Sequence, residues 1–225
     1  MLLAGNVPAA QPAKMYDTMA ERVTPCVTCH GKEGRATSEG YFPRIAGKPA
    51  GYIYNQLVNF REARREYPSM TYLVEHLTDA YLYEIARYFA GLDLPYPPPE
   101  TRDAPQEVLT RGEALARRGD AARNIPACAE CHGRKLTGVN PGIPGLLGLP
   151  RAYLHAQLGH WQNGVRRALS PDCMSRIAAL LKQDDIAAVS TWLSAQVVPA
   201  DSKPAPPRSS PLPMPCGSGM KGPPG

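Results

Sequence analysis

One six-residue pattern occurs twice in this chain and frames everything else. Cys26-Val-Thr-Cys29-His30-Gly31 returns as Cys128-Ala-Glu-Cys131-His132-Gly133, 102 positions later. Its surroundings return with it. Pro43–Pro49 corresponds to Pro144–Pro150, Tyr52 and Gln56-Leu57 to Tyr153 and Gln157-Leu158, and Phe60 to Trp161. Met70 corresponds to Met174, and Leu77–Phe89 aligns with Leu181–Leu193 without a gap. The offset drifts from 102 to 101 to 104, so the insertions are small and belong in loops. A fold duplicated in tandem is the simplest account.

Both copies read as helical. Ile53, Gln56, Leu57 and Phe60 fall at i, i+3, i+4 and i+7, and so do Leu82, Ile85, Ala86 and Phe89. Leu154, Gln157, Leu158 and Trp161 repeat the first pattern, and Ile186, Val189, Ser190 and Leu193 the second. Thr78 is placed to cap a helix start and Gly91 to end it. A helix over about 106–119 opens the second half, with Val108, Gly112, Leu115 and Ala116 on one face. A glycine inside a helix costs stability, so Gly112 predicts a close approach, here by the last helix of its own half. A helix over about 13–22 opens the first half. Strand signals are weak throughout.

Proline is abundant, 25 of 225 residues, and concentrated at 95–105 and 199–224. These stretches read as a stiff linker and a tail without fixed structure. The predicted division is one domain at 10–92, a linker at 93–105, a second domain at 106–198 and a disordered tail at 199–225. Hydrophobic residues make up 43% and aromatics 7%. Two domains of about 90 residues would each have a thin core, which a large apolar cofactor would fill.

C-x-x-C-H supplies that cofactor, for it is the signature of covalent haem attachment. Cysteines three apart on a helical turn project to one side, where both sulphurs meet the vinyl groups of one haem. The next residue, His30 or His132, then lies under the ring to bind iron. A four-cysteine zinc site would have to join pairs about 100 residues apart in separate copies, each with its own histidine. A redox-active C-x-x-C lacks the βαβ surroundings.

A haem with one histidine has an open sixth position. Met70 and Met174 lie 40 and 42 residues after their histidines, each in a polar, loop-like stretch before the last helix of its half. Their matched context points to ligation, not core filling. A neutral thioether favours ferrous iron and raises the potential. His76, His155 and His160 have no counterpart in the other copy, which leaves them surface or packing roles. Pro43 and Pro144 recur 13 and 12 residues after the histidines. A carbonyl there would fix the ligand through Nδ1, as second-shell groups do; a simple turn proline fits the spacing equally. Cys173, beside Met174, is a small loop residue or the partner of Cys216 in a disulfide, which an oxidising compartment permits.

These residues make the chain resemble the dihaem cytochromes c of the cytochrome c4 family. The likeness covers about residues 13–198. It rests on the two C-x-x-C-H-G motifs, on Phe42-Pro43-Arg44-Ile45-Ala46-Gly47 followed by Tyr52 and Gln56-Leu57, and on Arg111-Gly112-Glu113-Ala114-Leu115 followed by Gly119-Asp120 and Ile125-Pro126-Ala127-Cys128. The resemblance implies an all-α fold of two tandem cytochrome c domains, each wrapped around one covalent haem c. It implies axial pairs His30/Met70 and His132/Met174, attachment at Cys26, Cys29, Cys128 and Cys131, and haem-supporting prolines Pro43 and Pro144. It also implies a bacterial periplasmic carrier, soluble or loosely membrane-associated, between a cytochrome bc1-type complex or dehydrogenase and a terminal oxidase. Cys173, the tail with Cys216 and the basic charge depart from the pattern.

The expected function is electron transfer without substrate turnover and without catalytic residues. The alternative is the cytochrome subunit of a dihaem dehydrogenase for a small sulfur compound, or that enzyme itself. Charge gives no reason to expect nucleic acid as a partner. The net +5 falls to about +1 once four haem propionates are counted, and the pairs Arg64–Arg65, Arg117–Arg118 and Arg166–Arg167 read as solvated helix faces. The first residues, Met1-Leu2-Leu3-Ala4-Gly5, lack the charged and apolar regions of a full export signal, so the signal reads as absent or incomplete.

Overall fold

The computed structural model describes residues 17–37, 41–100 and 103–218. In the first half, α1 (Met19–Arg22), α2 (Thr24–His30), α3 (Ala50–Arg61), α4 (Pro68–Val74) and α5 (Asp79–Ala90) follow in order. The second half repeats the plan with α6 (Gln106–Arg117), α7 (Cys128–His132), α8 (Arg151–Gln162), α9 (Cys173–Leu180) and α10 (Gln183–Ser194). A two-stranded antiparallel ribbon, β1 (Gly138–Val139) with β2 (Ile143–Pro144), is the only sheet among the described residues. The fold is all-α, as expected. Of the opening helix expected over 13–22, residues 13–16 lie outside the described residues.

The predicted helix boundaries have identifiable causes. Thr78 caps α5, its side chain accepting from the Tyr81 amide. α3 and α5 bury their periodic faces together: Ile53, Leu57, Phe60, Leu82, Ile85 and Phe89 form one core with Val23 and Val74. α6 and α10 do the same with Leu115, Ile186, Val189, Trp192 and Leu193. Gly112 is the point of closest approach. A methyl group there would lie 2.3 Å from the Ala188 carbonyl oxygen, so only glycine lets α6 seat against α10.

Two expectations need correction. Met70 and Met174 lie not in loops but at the starts of the short helices α4 and α9. Pro68 opens α4, and the Asp172 side chain caps α9 by accepting from the Ser175 amide. Polar start signals of this kind resemble loop composition when read without structure. The tail also departs from expectation. Through Ser218 it has no helix, but it is tied down along its length. Asp201 pairs with Lys135 at 2.8 Å, Ala205 bridges to Val139, Arg208 donates to the Glu130 carbonyl, and Cys216 is disulfide-bonded to Cys173. Residues 219–225 lie outside the described residues.

A buried charge network locks the second half. Asp185, 5% exposed, accepts from Arg111 Nε at 2.9 Å, Arg123 at 2.7 Å and the Lys182 amide at 3.0 Å. Burial alone would raise its carboxyl pKa. The hydrogen bonds from Arg123, Lys182 and Arg111 overcome that and hold it at about 2. A carboxyl depressed in the folded state stabilises the fold above its unfolded value near 4, and that stability is lost as pH falls toward 2. Acid titration should therefore weaken the second half between about pH 4 and pH 2. Asp185→Asn should lower unfolding free energy at pH 7 by on the order of 2 kcal/mol and flatten that acid limb, as read by denaturant unfolding at each pH.

Candidate haem-binding centre

Each cysteine pair lies on one short helix that ends in the histidine. Cys26, Cys29 and His30 belong to α2, and Cys128, Cys131 and His132 to α7. The single turn between the cysteines puts both sulphurs on one side. Burial pushes the Cys26 thiol up and the Cys128 thiol to about 11, so both are apolar thiols. Neither pair has closed on itself as a disulfide.

The histidines are buried, at 8% and 7% exposure. His30 Nδ1 donates to the Pro43 carbonyl at 2.8 Å, and His132 Nδ1 donates to the Pro144 carbonyl at 2.7 Å. A carbonyl can only accept, so the proton sits on Nδ1 and Nε2 is left with its lone pair. Desolvation lowers both histidine pKa values, against the carbonyl hydrogen bonds that raise them. Neutral imidazole is the form that ligates a metal. The proline carbonyls thus have the orienting contact that the sequence left open against a plain turn.

In the second half these groups open on a cavity of about 190 Å³, far above the roughly 10–15 Å³ that one water occupies. Cys128, Cys131, His132 and Pro144 line one side, and Met174 and Ile177 of α9 another. In the first half Met70, Cys26, Val27 and Ile45 pack at the edge of the core. Of the histidines outside the repeat, His76 is 91% exposed, His155 is exposed and His160 is half-buried in the last turn of α8.

The two halves meet through a pair of arginines. Arg65 donates to the side-chain oxygens of Gln56 at 3.0 Å and Gln157 at 2.7 Å. Arg166 donates to the same two oxygens, Gln157 at 2.7 Å and Gln56 at 3.0 Å. Backbone bonds follow the same exchange, Glu66 N–H to Val165 C=O at 2.9 Å and Arg167 N–H to Arg64 C=O at 2.6 Å. Arg65 stacks on Phe60 and Arg166 on Trp161, the matched aromatic residues. The expectation that these arginines sit on solvated faces fails: Arg166 is 4% exposed. The repeat carried a signal, since Arg65 and Arg166 are 101 apart like Gln56 and Gln157. Composition could not show that both turn inward.

No family model matches the chain. Individual relatives do. A thiosulfate dehydrogenase electron acceptor of Stutzerimonas stutzeri is 33% identical over 86% of this chain and 90% of its own length. A cytochrome c4 of Pseudomonas aeruginosa is 33% identical over 75% of this chain and 82% of its own. The chain belongs to the cytochrome c4 family. The reduced cytochrome c4 of Pseudomonas stutzeri superposes with a TM-score of 0.68 at 28% identity, over 79% of this chain and 96% of that one. A thiosulfate dehydrogenase of Marichromatium purpuratum also superposes, with a TM-score of 0.68 at 29% identity, over 76% of this chain but 36% of that one.

As a cytochrome c4, the chain is a dihaem electron carrier with two covalently bound haem c groups. Its second cavity fits such a group. The walls are mainly apolar, yet Lys48 and Arg166 line it too, and neither has a carboxylate partner among the described residues. Trp161 lines the same cavity, and its indole N–H is buried without an acceptor. Two cations and an unpartnered N–H suit a macrocycle that carries carboxylates. Removing the arginine contacts should loosen one half from the other. Arg65→Ala with Arg166→Ala should split a single calorimetric unfolding transition of the haem-loaded protein into two, at a cost of on the order of 3 kcal/mol.

Proposed function

We propose that this cytochrome is a periplasmic relay that accepts electrons from a thiosulfate-oxidising dehydrogenase and hands them to a terminal oxidase or comparable acceptor. In this reading Cys26 and Cys29 attach one haem and Cys128 and Cys131 the other. His30 with Met70, and His132 with Met174, are the axial pairs. The observation that carries it is the duplicated His–Pro cradle, with Met174 lining the cavity of the second copy and Met70 near the start of the matched helix in the first. The names of two relatives as electron acceptors of thiosulfate dehydrogenase support the donor class.

Haem iron supplies the one-electron couple; the protein's part is to hold it still. The proline carbonyls fix the imidazole planes, and the buried helices exclude water. A thioether as sixth ligand leaves no position for a substrate and favours the ferrous state. The arginine pair keeps the two halves docked, so an electron received by one has a near neighbour to move to.

The second reading, a dihaem subunit within a sulfur-compound dehydrogenase, is favoured by the match to 36% of the larger Marichromatium enzyme. The two readings separate in a cuvette. With a thiosulfate dehydrogenase and thiosulfate, the oxidised protein should be reduced fully; with thiosulfate alone it should stay oxidised. Turnover of thiosulfate by the isolated protein would establish the second reading instead.

The ligand assignment predicts that denatured exported protein has the mass of the chain plus two haems. Met70→Ala and Met174→Ala should each open about half of the ferrous haem to carbon monoxide, while the parent takes up almost none. Rapid carbon monoxide binding by the parent would overturn the double methionine ligation.

A further inference from the structure

We propose that residues 212–218 of the tail form part of the second haem site, with the Cys173–Cys216 disulfide as the clasp that keeps Met174 over it. This rests on Met174 as the sixth ligand. The tail reaches the cavity from the histidine side and leaves it on the methionine side. Thr137 donates to the Lys203 carbonyl at 3.2 Å, and Arg208 donates to the carbonyl of Glu130, between the two attachment cysteines. Leu212 and Met214 then line the cavity itself, together with Cys216. The disulfide joins Cys216 to the residue immediately before Met174, closing a loop of 43 residues.

The far end is seated as closely. The Gly217 amide donates to the Pro171 carbonyl at 2.9 Å, and a methyl group on Gly217 would lie 2.4 Å from the Ser170 carbonyl oxygen. The buried Asn55 side chain of α3 donates to the Ser218 carbonyl at 3.1 Å, so the strap also touches the first half. Among the described residues nothing in the first half corresponds to it: Ser69 stands where Cys173 does, and the repeat ends before the tail begins. The strap is therefore specific to one haem of the two. Its aliphatic and thioether side chains add to the dry wall around the iron. Its clasp limits how far the start of α9, and with it Met174, can swing away.

The test uses the exported, haem-loaded full chain. In Cys173→Ser/Cys216→Ser, mass spectrometry should still find two haems. The ferrous variant should bind carbon monoxide at up to half of its haem, where the parent binds almost none, and the weak far-red band of Met-ligated ferric haem should fall by up to half. If the double variant does not load haem, the parent treated with a phosphine until two thiols titrate carries the same measurement. Met174→Ala in the parent is the control for the ligand. If Met174→Ala opens one site while the unclasped protein behaves as the parent does, the clasp is overturned. If Met174→Ala is silent, the ligand reading fails and the clasp falls with it.

Discussion

The molecule turns on two arginines, Arg166 buried and Arg65 half-buried, that share two glutamine oxygens. Arg65 and Arg166 each donate to Gln56 and Gln157, and no carboxylate joins them among the described residues. Two guanidiniums at one dry contact repel, and burial pushes the Arg166 pKa down, with Arg65 adding to the effect. Stacking on Phe60 and Trp161 recovers part of the cost. The buried ammonium of Lys48 beside the same cavity adds a third desolvated cation. Such a cluster is far better suited to a protein holding anionic groups than to an empty one. The propionates of haem are anions of that kind.

Duplication explains why the interface closes on itself. Residues related by the 101-residue offset meet their own counterparts, as in a two-fold dimer whose subunits happen to be one chain. The pairing of Arg65 with Arg166 and the exchanged backbone bonds are what self-complementarity requires. The proline-rich linker is held as part of this arrangement. Arg44, 2% exposed, donates to the Leu94 and Pro95 carbonyls and lies over Tyr96, so the segment is extended but pinned. Each half has its own core, and the tail is tied to α7 and α9 of the second half.

What could be read from sequence was whatever the repeat wrote twice or the backbone period imposed. The C-x-x-C-H helices, the faces of α3, α5, α8 and α10, the cap at Thr78 and the close approach at Gly112 all depend on local spacing. The proline carbonyls needed one more step, a contact across 13 residues in one half and 12 in the other that spacing allowed without selecting. Long-range choices escaped. Arginine pairs look alike on a solvated helix and in a stacked interface, because the difference lies in which residues 100 positions away come to meet them. The tail escaped for a related reason. Its proline content rules out helix, and composition cannot tell an unattached extended chain from one bonded at Ala205, Arg208 and Cys216 to a surface formed earlier in the sequence.

A relay built from two similar halves has a difficulty that the strap addresses. Equal ligands and equal cradles give equal affinities for the electron, and an electron then has no preferred end. Direction needs a difference in environment, and a cofactor's potential responds to solvent access and to the apolarity of its surroundings. In this chain the cradles themselves differ little: each has a proline carbonyl on its histidine and a methionine opening a short helix. Among the described residues the asymmetry lies in Leu212, Met214 and the Cys173–Cys216 link at the second cavity, where the first half has Ser69 in place of Cys173. A drier site favours the form of lower net charge, which for a haem with two neutral axial ligands is the ferrous one. On that argument the strapped haem is the better electron acceptor of the pair.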